Sequence, residues 1–141
     1  MALSLSIKYF AGEFLKGIQK IEQMLDEPTN VTDLFCGKYV SGKVAVDDEI
    51  GPVGYIAWSK ECPVDREVLR LVVHPEHRRQ SIATALIDAV EYKMAPCEAV
   101  SLSCPAHCPD VSRTFIANKY EMSGTYKHNG IQYFRFLKWI I

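Results

Sequence analysis

The sequence predicts an α/β (α+β) fold, a mixed and mostly antiparallel central sheet carrying helices. Three observations lead there. Short apolar runs of strand length alternate with stretches of helical periodicity, two of the runs are joined by a hairpin-type turn signal, and one run passes directly into an amphipathic helix. At 141 residues with an apolar share of 48%, the chain fits one domain, residues 1–141, with a single core of ordinary size.

The elements follow in order. LSLSIKYF (residues 3–10) reads as a first strand. GEFLKGIQKIEQMLDE (12–27) sets Phe14, Leu15, Ile18, Ile21, Met24 and Leu25 on one helical face and closes at Glu27–Pro28, so this helix covers a core and carries no sign of a catalytic role. KYVSGKVAVDD (38–48) and VGYIAWSK (53–60), separated by EIGP, form two strands of an antiparallel meander. After ECPVDR, the branched run EVLRLVV (67–73) makes a third strand and stops at His74–Pro75, where proline has no N–H for the ladder.

From Ser81, the residues Ile82, Ala85, Leu86, Ala89 and Val90 recur at three- and four-residue spacing with Asp88, Glu91 and Lys93 turned outward, giving a helix that ends before Pro96. EAVSLSC (98–104) is a further strand, and PDVSRTFIANK (109–119) is a short helix with Pro109 near its start. TYKHNGIQYFRFLKWII (125–141) is a hairpin turning at Asn129–Gly130. Its last strand is apolar on both parities, with Ile131, Tyr133, Leu137 and Trp139 on one and Phe134, Phe136 and Ile140 on the other, which predicts burial on both faces and an interior place in the sheet.

Charge and cysteine content bound the function. Sixteen basic residues against seventeen acidic give a net charge of −1, so no global field draws the protein to nucleic acid or an anionic membrane, and any anion must be held locally. The apolar runs fall short of a membrane span, and MALSLSIKYFAG lacks the basic start and cleavage pattern of a secretory leader. The cysteines Cys36, Cys62, Cys97, Cys104 and Cys108 form an odd, scattered set, which favours reduced thiols and a cytoplasmic setting. In that setting NVT (30–32) is loop chemistry rather than a glycosylation site.

The most informative stretch is HPEHRRQSIATAL (74–86). A helix start exposes unpaired N–H groups and the positive end of the dipole, so a loop wrapping into one can grip phosphate oxygens. Arg78 and Arg79 add cations suited to charge-assisted bonds. The spacing Arg78-x-x-Ser81-x-Ala83, following an apolar strand and Pro75, points to a pyrophosphate cradle built from Arg78, Arg79, Gln80, Ser81, Ile82 and Ala83.

LRLVVHPEHRRQSIATALIDAV resembles the GNAT superfamily of acyl-CoA-dependent N-acyltransferases, whose signature is Arg/Gln-x-x-Gly-x-Gly/Ala between the fourth strand and third helix. The resemblance implies a central sheet splayed at the fourth and fifth strands with helices on both faces. It also implies acetyl-CoA as co-substrate, held by the cradle and by backbone groups near Leu71, Val72 and Val73 that pair with the pantetheine arm, and an amine acceptor as the second partner. Ser81 departs from the pattern: the family has glycine there, while serine keeps the N–H and adds a hydroxyl that could bind phosphate or cap the helix.

Acyl transfer from a thioester needs a group to take a proton from the ammonium and, in some mechanisms, one to return a proton to the thiolate. Glu67 matches the position of the family's frequent general base; an alternative role is a strand-edge carboxylate paired with Arg66 or Arg70. The position of the family's tyrosine acid is held by Phe115, which cannot donate a proton. Cys108, Tyr126 and Tyr133 remain as candidate acids, or the thiolate departs unaided; for the two tyrosines a role in the hairpin core competes. CPAHC (104–108) offers fewer ligands than a structural zinc site wants, so no metal is expected, and Cys108 falls where the family has a cofactor-contacting asparagine.

The leading expectation is an N-acetyltransferase acting by direct attack in a ternary complex. The alternatives are a catalytically weak acyl-CoA-binding module, suggested by Ser81 and Phe115, and an unrelated phosphate-binding α/β domain. The apolar C-terminal hairpin offers a face for a homodimer.

Overall fold

The computed structural model describes residues 4–78 and 81–141. Among these, β1 (Leu5–Tyr9), β2 (Val40–Asp47), β3 (Gly51–Cys62) and β4 (Asp65–Val73) form an antiparallel meander. β5 (Ala99–Pro105) then lies parallel to β4, and the hairpin of β6 (Glu121–His128) and β7 (Ile131–Trp139) completes a sheet ordered β1-β2-β3-β4-β5-β7-β6. Asn129 and Gly130 both have positive φ, 51° and 78°, as the tight hairpin turn requires.

Helices cover both faces. α1 (Leu15–Glu22) and α2 (Val31–Phe35) lie on one, where Ile18, Ile21 and Val31 pack against Val44, Tyr55, Ala57 and Val72. α3 (Ile82–Glu91) and α4 (Pro109–Ala117) lie on the other, where Ile82, Leu86, Ile87, Val90 and Phe115 meet Ile56, Trp58, Val68, Val100, Leu102 and Phe136. Gly54 permits close packing under α3: a Cβ there would stand 2.8 Å from the Val72 carbonyl oxygen. No helix is long and apolar enough to cross a membrane among the described residues.

Four local expectations are corrected. α1 ends at Glu22 rather than Glu27: after Gln23 the helical ladder gives way to tighter bonds from the Met24 and Leu25 N–H groups to the Ile21 and Glu22 carbonyls, and the Glu22 carboxylate accepts the Thr29 N–H at 3.1 Å. NVT opens α2: Asn30 caps it by accepting the Asp33 N–H at 3.1 Å, and five residues are too few to show a period in sequence. Glu91 is held inward by the Tyr120 hydroxyl at 3.0 Å and the Lys138 ammonium at 2.7 Å. β7 does sit inside the sheet, between β5 and β6, yet one of its faces is open, with Trp139 60% exposed.

Candidate active site

The pairing of β4 with β5 stops partway. Partners run from Asp65↔Ala99 to Val68↔Leu102, after which β4 continues to Val73 and β5 to Pro105 with no register between them. A bulge at the same place, where Trp58 faces Val68 and Ala57 faces Arg70, leaves Leu69 without a partner and reverses the faces of the residues beyond it. β4 stays laddered to β3 as far as Val73, so one edge of residues 69–73 is left open toward the gap. Val72 turns its side chain into the α1-side core, while Leu71 and Val73 turn theirs toward α3. The backbone is what all three can offer to a ligand in the gap.

At the end of this arm, Pro75–His77 make one 3-10 turn, with the His74 ring accepting the Glu76 N–H at 3.1 Å. Arg78 is exposed and extended, at φ −67° and ψ 158°. Arg79 and Gln80, two of the expected cradle residues, lie outside the described residues. Ser81 is left-handed, with φ 62° and ψ 15°, and its hydroxyl makes no capping bond to α3. The expected cap is therefore absent, and the glycine that the family keeps here has a second physical reason beside close approach: a side chain in this conformation is strained. Ile82 buries its side chain in the core and offers only its N–H; Ala83 is half-buried. The first N–H groups of α3 have no carbonyl to bond within the helix. Unpaired N–H groups at a helix start suit an anion.

Glu67 is exposed on the opposite sheet face, level with Ser59 on β3 and Ser101 on β5. With Ser59, Glu61, Cys62 and Asp65 it lines a cavity of about 230 Å³. Neither arginine proposed as its partner reaches it: Arg66 donates to the Val90 carbonyl and Arg70 to Glu22. Asp65 is held by the Ser101 hydroxyl at 3.0 Å. Among the described residues, Glu67 makes no hydrogen bond or ion pair, which leaves its carboxylate available as a base.

Tyr126 stacks on Tyr133 with ring centroids 5.2 Å apart and planes 9° from parallel. The register places this pair level with Pro105, four residues along β5 from Ser101, and Tyr126 three strands across from Glu67. That is roughly 13 Å along the strands and 14 Å across them. The two therefore do not converge on one reacting carbon. Cys108 precedes α4, half-buried, its N–H on the Pro105 carbonyl at 3.1 Å, at the wide end of the gap. Cys104 faces the core and lies 3.3 Å from the Ser112 hydroxyl; burial first of all pushes its thiol pKa up. Among the described residues no three of His, Cys, Asp or Glu stand together as a metal site. Phe115 is fully buried, edge-on to Tyr120 at 4.9 Å, so it belongs to the core and not to the gap.

Residues 40–130 match the acetyltransferase (GNAT) domain family. The chain belongs to that family. Three solved GNAT-like structures illustrate the fold. The chain is 17% identical to Arabidopsis thaliana NAA60 in complex with acetyl-CoA, covering 97% of this chain and 99% of that one at a TM-score of 0.77. It is 12% identical to the ribosomal-protein-S18-alanine N-acetyltransferase of Escherichia coli, with 96% and 94% covered and a TM-score of 0.79. For mutant forms of the spermidine/spermine N-acetyltransferase SpeG of Vibrio cholerae the identity is 15%, the coverage 96% and 95%, and the TM-score 0.71. At these identities the likeness is one of fold. No curated protein matches the chain in sequence. The GNAT framework accounts for the parallel β4–β5 pair, the gap beyond it and the helix start at its end.

One group near the site escaped the sequence reading. Glu22, the last residue of α1, is fully buried and gathers Arg70, Tyr55 and the Thr29 N–H around its carboxylate. Burial pushes its pKa up, but the bonds from Arg70, Tyr55 and Thr29, with the charge of Arg70, outweigh it and hold the carboxyl below the ordinary glutamate range. Burial, then Glu22, pushes the Tyr55 phenol up. A signal was present, since Glu22 stands four residues after Ile18 and three before Leu25, inside the apolar stripe of the helix.

Proposed function

We propose that the protein is an N-acetyltransferase that moves the acetyl group of acetyl-CoA to a primary amine. The observation that carries this reading is the divergence of β4 from β5 at Val68 and Leu102, which opens backbone groups of residues 69–73 immediately before a helix start. The open edge suits the amide groups of a pantetheine arm, which extend the ladder as an added strand would. The diphosphate then falls at Arg78, Arg79, Gln80 and the N–H groups of Ser81, Ile82 and Ala83. Metal chemistry is not needed for this transfer.

In the step itself the amine nitrogen attacks the thioester carbon, a C–N bond forms, and the C–S bond breaks to release CoA as thiolate. The proton lost by the nitrogen passes to Glu67, directly or through one water. Glu67 suits the task because it is unpaired among the described residues and lies on the sheet face away from α3. The thiolate needs no dedicated acid, since a thiol titrates at about 8.5 and leaves readily near neutral pH. Neither Cys108 nor Tyr126 has a place in this step.

The amine class is proposed from likeness of fold alone: an alanine of a protein, as for the Escherichia coli ribosomal-protein-S18-alanine enzyme, or spermidine or spermine, as for SpeG. The test is thiol release from acetyl-CoA with an alanine-initiated peptide and with spermidine, after calorimetric titration with acetyl-CoA alone. Transfer above the hydrolysis background supports the enzyme. Binding without transfer to any amine supports the second reading, an acyl-CoA-binding module, which the buried Phe115 and strained Ser81 favour. Absence of binding removes both.

A further inference from the structure

Glu22 occupies a costly position. It is wholly buried, and as the last residue of α1 it lies at the negative end of the helix dipole. Stability alone does not call for it, because a buried ion pair is commonly matched or bettered by apolar residues of the same volume. Its partners show what it joins. Arg70 donates from Nε to Oε2 at 3.1 Å and from Nη2 to Oε1 at 2.8 Å, and Tyr55 donates its hydroxyl to Oε2. These two residues belong to the sheet, Arg70 being next after the bulge at Leu69 on the splayed arm. The other contacts belong to the segment after α1: the Thr29 N–H donates to Oε1 at 3.1 Å, and Arg70 Nη2 donates to the Glu27 carbonyl at 3.3 Å. The segment is thus held on either side of Pro28.

The location matters if the chain is the acetyltransferase proposed above, on which this inference rests. The face toward α3 is filled by packed core and helix, so an amine reaches the gap from the face that carries Glu67. On that face the cover beside the splayed arm is α1 and the segment after it. We propose that the Glu22–Arg70 pair, with Tyr55, is a positioning device that holds residues 23–30 as one wall of the amine site. The rigid partner is the sheet and the positioned partner is the segment, so loss of the pair displaces the wall and leaves the cofactor edge of β4 in place.

Glu22→Gln and Tyr55→Phe test this, assayed with spermidine and with an alanine-initiated peptide at saturating acetyl-CoA, together with acetyl-CoA affinity by calorimetry. Glu22→Gln is expected to raise KM for the amine about ten- to a hundredfold, in line with the effect of a small misplacement of a binding wall. Acetyl-CoA affinity should stay within about twofold, the limit set by a cofactor edge whose own bonds are untouched. A merely structural role predicts fewer active molecules with both constants unchanged, and that result overturns the proposal. A matching loss of acetyl-CoA affinity overturns it as well. Should Glu22→Gln not fold, Tyr55→Phe removes a single donor and carries the test alone, with a rise in amine KM of about threefold or more. If the unaltered protein transfers to neither amine, the acetyltransferase reading fails and this inference with it; transfer with unmoved KM in the variants sinks this inference alone.

Discussion

The first four residues of β4 and the last five differ in one respect that decides their chemistry. Asp65, Glu67 and Val68 are paired on both edges, to β3 and to β5, whereas Arg70 to Val73 are paired with β3 alone and Leu69, at the bulge, with neither. Backbone groups left open inside a protein are costly unless something bonds them. The closed half can only present side chains, as Glu67 does, and the open half presents its main chain. The proposed base and the proposed cofactor edge are therefore adjacent stretches of one strand, divided by a bulge that shifts the alternation of faces by one residue.

The sharpest way to break this comparison is at the closed half. Glu67→Gln keeps the shape and removes the base, so kcat should fall about a hundredfold or more while acetyl-CoA affinity stays constant. Steady-state rates at saturating acetyl-CoA read the first quantity and calorimetry the second; full activity in the variant would take Glu67 out of the mechanism. The effect next in size belongs to the open half and concerns stability. Breaking a fully buried pair costs about 3–5 kcal/mol, and since Arg70 is 27% exposed a smaller loss, about 2–3 kcal/mol, is expected for Glu22→Gln at neutral pH. Because the native carboxyl is held below its ordinary range, its contribution is present above about pH 4.3, the unfolded value, and is lost as pH falls through the native value. The gap in melting temperature between the two proteins should close on acidification; a gap independent of pH would show that charge is not what the pair supplies.

These two halves were unequally legible in the sequence. EVLRLVV announces a strand and the residues after Ser81 a helix, because each carries its period within a few residues. The divergence at Val68 leaves no such trace: a bulge shifts parity by one, and in a run as apolar as this both parities look alike. Only resemblance to a family supplied it. Glu22 was hidden for the opposite reason, as a polar residue in an apolar stripe whose partners lie 33 and 48 positions away. On β7 apolar residues on both parities led to the right place in the sheet through a wrong premise, since the Trp139 face is uncovered. The tyrosines stand out in the sequence by residue type, and Cys108 by its match to the family's cofactor-contacting asparagine as well. Only the register of β5, β7 and β6 tells that Tyr126 and Tyr133 stand at the wide end, away from Glu67.

Beyond the open half, two changes probe the proposed cradle. Arg78→Ala should weaken acetyl-CoA binding about tenfold, the worth of one charge-assisted bond to phosphate, and flatten its dependence on salt. Calorimetry at two ionic strengths checks both, and an unchanged affinity would mean that the diphosphate lies elsewhere. Ser81→Gly is smaller and of opposite sign. It relieves a side chain held at φ 62°, against which stands the greater freedom of glycine in the unfolded chain. The net gain should be below about 1 kcal/mol in stability, with tighter acetyl-CoA binding because no Cβ crowds the ligand. A lower melting temperature would show that the serine hydroxyl contributes more than its backbone costs.

The smallest effect is expected farthest from the bulge. Tyr126→Phe removes a hydroxyl and keeps the ring stacked on Tyr133, at the end of the sheet where β5 is level with Pro105. A general acid must come within hydrogen-bond reach of the sulfur it protonates. A phenol some three strands and four residues from Glu67 cannot meet that condition while Glu67 serves as base on the same carbon, so kcat should change by less than about twofold. A hundredfold fall would reverse the assignment. It would move the chemistry to the wide end of the gap, beside Cys108, and leave Glu67 as a bystander on the closed half of its strand.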